Sequence, residues 1–171
     1  MTDATIRAIL AAVSRGDTPS DDAAARLIAA FRASPFEDLG FARVDHHRAV
    51  RQGQPEVVFG LGKTTSQVVE IARRIAARGH ALLVTRATPD MGAAVSAELT
   101  GARFDAVSRT IVRPAQEAPP GPPAGPVLVC CAGTSDLPVA EEAAVCGEAM
   151  GLAVERLYDV GVAGILSLIH I

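Results

Sequence analysis

The chain has 171 residues, 49% of them hydrophobic, with 16 Lys and Arg against 19 Asp and Glu and a formal net charge of −3. That length holds one ordinary domain, or a small domain with part of a second, and the apolar content suffices for a packed core. The slight acidity argues against a nucleic-acid partner gripped through its phosphates, and no uncharged apolar run of about 18 residues is present to cross a bilayer.

The opening MTDATIRAILAAVSRGD lacks the basic-then-apolar plan of an export signal, so a cytoplasmic location is the expectation. Residues 4–13 and 20–33 repeat apolar side chains at spacings of three and four. Asp21 and Asp22 stand early in the second run, where acids favour a helix start, so two short helices open the chain. Residues 57–59 form a short β-branched strand after Pro55, leading through Gly60 and Gly62 into a helix over 66–78 that closes at Gly79. A strand at 81–85, a helix at 91–99 and a strand at 106–112 follow. The alternation predicts a small N-terminal α/β domain over residues 1–113.

Residues 114–126 are so dense in Pro, Gly and Ala that they read as a linker. Residues 127–131 are a continuous apolar run suited to a buried parallel strand. A turn at 133–136, a helix over 137–150 stopped by Gly151, a strand at 154–157 and the glycine-rich stretch 159–164 complete the pattern. Strand, turn, helix, strand is the first β-α-β unit of a doubly wound, flavodoxin-like parallel sheet, whose ligands sit at the carboxyl ends of the strands. Only the start of that domain is expected, over residues 127–165. Cys130, Cys131 and Cys146 are odd in number and two are adjacent, so they read as reduced core residues rather than disulfides or zinc ligands.

The turn Gly133, Thr134, Ser135, Asp136 places backbone amides, two hydroxyls and a carboxylate at a helix start. That combination suits a phosphate or ribose; it equally suits simple capping by Ser135 or Asp136. Glu141 and Glu142 follow in the first turns, and Asp159 ends the next strand, with Gly161 and Gly164 allowing close approach. At least one of these carboxylates is expected at the strand-end crevice, where it would bind ribose, hold magnesium or move a proton. FGLGKTTSQ, residues 59–67, has the Gly62, Lys63, Thr64 ending of a phosphate loop, but Val57 stands where the first glycine should be, which leaves a turn with a capped helix. In DHHR, residues 45–48, His46 and His47 would point to opposite faces of a strand. A hydrogen-bonded structural role is therefore favoured over a shared metal.

Taken in order, LGFARVDHHRAVRQGQPEVVFGLGKT (residues 39–64) resembles the N-terminal domain of the LarB family, and AGTSDLPVAEEAAV (132–145) with ERLYDVGVAGI (155–165) resembles its C-terminal domain. The resemblance runs from about Phe36 to Ile165 apart from the linker. The C-terminal part of LarB is similar to PurE-type aminoimidazole ribonucleotide carboxylases, in which a G-S-x-S-D turn holds the nucleotide phosphate and ribose. Gly133, Thr134, Ser135 and Asp136 match that turn, and Asp159 and Gly161 join them as candidate substrate-binding residues. Where PurE would have Ser-Ala-His-Arg, this chain has Asp159, Val160 and Gly161, which favours LarB over purine biosynthesis.

The resemblance implies an enzyme of nickel-pincer nucleotide cofactor biosynthesis, a carboxylase and hydrolase. It would carboxylate the pyridinium ring of nicotinic acid adenine dinucleotide with carbon dioxide or bicarbonate and cleave the phosphoanhydride to release AMP, with magnesium assisting the phosphate step and no tightly bound cofactor. The family's chemistry uses a cysteine thiolate that adds to the ring. None of the three cysteines here matches it, so the chain is expected to be C-terminally truncated and inactive alone, with Glu141 and Asp159 as its candidate catalytic carboxylates. The complete protein would be an octamer. The last six residues, LSLIHI (166–171), look like a translated sequencing adapter and are expected to be non-native. Two alternatives stand beside this reading: a PurE-like purine carboxylase or mutase, and a non-catalytic nucleotide-binding module.

Overall fold

A computed structural model of the chain describes residues 3–32, 36–46, 48, 56–116 and 124–161. The chain divides into two compact units, Met1–Glu56 and Val57–Ile171.

In the first unit, helices α1 (Asp3–Ser14) and α2 (Ser20–Arg32) pack on each other, with Asp21 and Asp22 in the first turn of α2 as the helix dipole favours. An antiparallel hairpin follows that the sequence pattern does not announce, β1 (Phe36–Asp38) with β2 (Arg43–Asp45). Its turn is built by Gly40, at φ 81, whose amide donates to the Asp38 carboxylate at 2.8 Å. That amide and the neighbouring Arg43 hold the Asp38 carboxyl below the usual carboxylate range.

The second unit opens with β3 (Val57–Phe59), α3 (Thr65–Ala77), β4 (Leu82–Thr85), α4 (Pro89–Glu98), β5 (Arg103–Asp105) and β6 (Thr110–Arg113). The strands form one mixed sheet in the order β3-β4-β6-β5. β3 and β4 are parallel, as a connection through a helix requires, and the other pairs are antiparallel. α3 buries Val68, Ile71, Ala72, Ile75 and Ala76, the three-and-four spacing of one helical face. β4 has a neighbour on each side, and Leu82, Leu83 and Val84 are wholly buried.

The single strand expected over 106–112 is instead a hairpin. The Asp105 carboxylate accepts from both the amide and the hydroxyl of Ser108, each at 2.7 Å, and Arg109 takes φ 54, so the chain reverses between β5 and β6. These local side-chain bonds offer the backbone a turn where hydrophobicity alone suggests continuity.

Ala124–Cys130 forms β7, a 3-10 turn covers Thr134–Asp136, and α5 (Leu137–Ala149) and β8 (Leu152–Leu157) follow. β7 and β8 are parallel, with Val127 opposite Val154 and Cys130 opposite Leu157. β7 begins three residues before the expected 127, within the end of the Pro-rich stretch. Residues 117–123, 162–165 and the expected non-native tail 166–171 lie outside the described residues.

One expectation is overturned here. β7 is not a buried strand: Val127 is 39% and Leu128 51% exposed, and Cys130 is exposed rather than core, although Cys131 is buried. Among the described residues this sheet has two strands and one helix against it, which cannot cover both of its faces. Side chains alternate along a strand, so the adjacent cysteines receive opposite environments.

The architecture is mixed α/β. Among the described residues no helix is long and apolar enough to cross a membrane.

Candidate functional site

The end of β7 brings the sequence-predicted residues together. The turn Thr134–Asp136 is exposed, and Gly133 before it is extended, at φ −140 and ψ 170. The Gly133 amide donates to the Asp136 carboxylate at 3.2 Å, and the Asp136 amide donates to the Gly133 carbonyl at 3.0 Å. Asp136 therefore closes the turn, and neither it nor Gly133 caps the following helix through a side chain. The amides of Thr134 and Ser135 make no hydrogen bond to the described residues.

Beyond β8 the backbone keeps pairing with the segment before the turn. The Val160 amide donates to the Cys131 carbonyl at 3.2 Å and the Gly161 amide to the Ala132 carbonyl at 2.7 Å. Asp159 and Gly161 are thereby set beside the stretch that enters Gly133. Asp159 is exposed and left-handed at φ 58, a conformation that Asp accepts better than most residues. Its carboxylate has no hydrogen-bond or ion-pair partner among the described residues.

Glu141, the other candidate carboxylate, is already engaged. It accepts from Tyr158 Oη at 2.6 Å and from Arg156 Nε and Nη2 at 3.1 Å. Arg156 also grips Glu148, through Nη1 at 2.5 Å and Nη2 at 3.0 Å, so one guanidinium spans two helical turns of α5. Arg156 holds the Glu148 carboxyl below its ordinary range, and the two glutamates raise the guanidinium further above its own. Burial, and after it the hydrogen bond to Glu141, pushes the Tyr158 phenol up to about 12. Arg156 and Tyr158 belong to the quoted ERLYD stretch, yet only the fold shows that they face α5. Next along the helix, Glu142 pairs with Arg86 Nη2 at 3.0 Å. Desolvation and then the charge of Glu142 raise the Cys146 thiol, which disfavours its thiolate.

The remaining motifs settle into structural roles. Thr64 caps α3 with a reciprocal box: the Gln67 amide donates to Thr64 Oγ1 at 3.2 Å, and the Thr64 amide donates to Gln67 Oε1 at 2.9 Å. Lys63 turns back to its own loop, donating to the Phe59 carbonyl at 2.9 Å. His46 is 2% exposed and its Nε2 donates to Glu37 across the β1–β2 hairpin at 2.8 Å. His47 lies outside the described residues. No group of three or more His, Cys, Asp or Glu side chains among the described residues is arranged to hold a metal.

The chain is 28% identical over 165 residues to an uncharacterized protein of Methanocaldococcus jannaschii, an alignment that covers 94% of this chain and 63% of that protein. It thus spans less than two thirds of the length of this curated relative. In residues 36–115, from β1 to just past β6, the sequence matches the family model of the LarB/PurE-like N-terminal domain.

Proposed function

We propose that the chain is part of a LarB-type enzyme that carboxylates the pyridinium ring of nicotinic acid adenine dinucleotide, with carbon dioxide or bicarbonate as the carbon source, and hydrolyses the phosphoanhydride to release AMP. One observation carries the reading: an exposed Gly133–Asp136 turn with two uncommitted amides, at the carboxyl end of a parallel strand, in a chain whose residues 36–115 match a LarB/PurE-like domain. The amides and hydroxyls of Thr134 and Ser135 would hold a phosphate, and Asp136 would face ribose hydroxyls once released from Gly133. Gly133 and Gly161 would let the nucleotide approach the backbone.

Of the two candidate catalytic carboxylates, Asp159 is the uncommitted one. Glu141 is bound to Arg156 and Tyr158, so its part in this reading is to fix α5 against β8 rather than to move a proton. Magnesium takes oxygen donors and commonly binds through one or two carboxylates together with substrate phosphates, which fits Asp159 beside the turn. When bound it would neutralise charge on the phosphoanhydride as the bond is cut. The ring-attacking thiolate would come from the part of the protein that the longer relative has in addition. Assembly into an octamer, proposed for the complete protein, would also cover the exposed face of β7.

The test is an assay of the complete protein with the dinucleotide, bicarbonate and magnesium. The reading expects AMP in step with ring carboxylation. Turnover of aminoimidazole ribonucleotide instead would establish the purine carboxylase alternative, and nucleotide binding without any turnover would establish a non-catalytic module.

A further inference from the structure

The loop after β4 is clamped from both sides. The Gly60 amide donates to the Thr85 carbonyl at 2.8 Å, and the Ala87 amide donates to the Arg109 carbonyl at 2.7 Å. Arg109 Nε returns to the Ala87 carbonyl at 3.4 Å. Between the clamps Arg86 stands at φ 52, which side-chain-bearing residues rarely adopt. Gly60 makes the approach feasible, since a Cβ there would lie 2.9 Å from the Thr85 carbonyl oxygen and 3.1 Å from that of Arg86. The outcome of this arrangement is the Arg86 guanidinium beside Glu142, whose side chain is only 15% exposed.

Glu142 lies in the second turn of α5, a helix that packs against β4 and β6 as well as β7 and β8. The buried face of α5 is nearly smooth. Ala140 and Ala144 are its buried residues, and at Gly147 a Cβ would lie 2.9 Å from Val154 Cγ2. Small side chains permit close approach but interlock little, so position along the axis is left to polar contacts. Arg156 holds Glu141 and Glu148 at β8, and on the side of β4 the corresponding contact is Arg86 with Glu142. A part-buried ion pair is directional and has its best-attested use in fixing register.

We infer that Arg86 is a positioning residue: through Glu142 it sets the axial position of α5 on the four-stranded sheet, and with it the Thr134–Asp136 turn that the helix continues. The ligand half of this inference rests on the proposed phosphate role of the turn; the positioning half does not.

Hydrogen exchange on the full chain separates the two. Arg86→Asn tolerates the left-handed backbone and removes the guanidinium, and Glu142→Gln removes the partner. Either variant should speed exchange of the Glu141, Glu142 and Ala143 amides about tenfold while leaving the β4 amides of Leu83 and Val84 unchanged. Arg86→Lys should stay near wild type, and the swap of Arg86→Glu with Glu142→Arg should restore protection. Unchanged exchange in both single variants, or no rescue by either the lysine or the swap, overturns the inference. In parallel, AMP is titrated while the Thr134 and Ser135 amide shifts are followed. Wild type should respond and Arg86→Asn should bind about tenfold more weakly, the size of an ordinary coupling between sites. Equal affinities would overturn the link between positioning and ligand. No response in wild type would sink the phosphate reading of the turn and leave positioning to the exchange result.

Discussion

The second unit contains two sheets whose central sequences look alike and whose surroundings differ. Leu82-Leu83-Val84-Thr85 and Val127-Leu128-Val129-Cys130 are both short apolar runs in parallel strands followed by a turn and a helix. In β4 all four residues are buried, flanked by β3 and β6. In β7 the run is largely exposed, with β8 as its partner strand among the described residues. An apolar run thus reports that a strand requires cover, and says nothing of where in the chain the cover is encoded.

Paired substitutions can break that comparison. Leu83→Ala should destabilise by roughly 2–5 kcal/mol, the range for truncating a fully buried leucine. Leu128→Ala should stay within about 0.5 kcal/mol, as for an exposed site. Urea denaturation of both variants checks this, and equal losses would mean that β7 is covered in solution after all.

Glycines sharpen the contrast at a smaller scale. A Cβ on Gly92 would overlap the Phe104 side chain, where α4 crosses β5, while one on Gly133 would meet nothing within 4 Å. Gly92→Ala should therefore cost about 1–3 kcal/mol by overpacking, partly recovered with Phe104→Leu. Gly133→Ala should leave the unfolding midpoint near wild type, since its φ of −140 is open to any residue. If both alanines are tolerated equally, the tight crossing at Phe104 is wrong.

The two helix starts differ in the same sense. Thr64→Ala removes the side-chain acceptor of a complete capping box and should cost about 1 kcal/mol. Ser135→Ala should change thermal stability by far less, because the turn before α5 is closed by Asp136 and not by Ser135. A loss at Ser135 as large as that at Thr64 would show it to be a cap, and would weaken the case that its amide and hydroxyl are kept for a ligand.

What the sequence makes legible follows from the range of each interaction. Helices α1 to α5 are predicted within a few residues because three-and-four spacing, Thr64, Asp21 and the terminal glycines act inside one or two turns. The β5–β6 reversal is less visible, since it depends on one carboxylate collecting two donors from Ser108. The β1–β2 hairpin pairs strands of three residues, too short for alternation to register. At the site, spacing points to Gly133 to Asp136 and Asp159, which in the fold lie beside each other through the Val160 and Gly161 backbone bonds. It cannot show that Glu141 and Glu142, adjacent in sequence, are held by different partners, Arg156 and Arg86. Those partners come from different strands and loops, and only the assembled sheets bring them together.

The smallest effect is also the most local, and it asks whether the exposed second sheet nevertheless has a fixed end. Tyr158 is the chain's one tyrosine, and the chain has no tryptophan, so ultraviolet titration of its phenol reports a single site. Burial and the Glu141 carboxylate both disfavour the phenolate, so the folded chain should titrate at about 12, against roughly 10 for a free tyrosine. Because the folded value lies above the unfolded one, the stabilisation is fully present below about 10 and drains away as the pH rises through the folded value. Glu141→Gln removes the charge but not the burial, so the midpoint should fall part of the way and remain above that of a free tyrosine. The partly exposed network should contribute no more than about 1 kcal/mol at neutral pH, which makes the spectroscopic midpoint a sharper measure than stability. A wild-type midpoint at the free-tyrosine value would mean that the Tyr158–Glu141 bond does not persist in solution, and that the end of β8 is as loosely held as the middle of β7 is exposed.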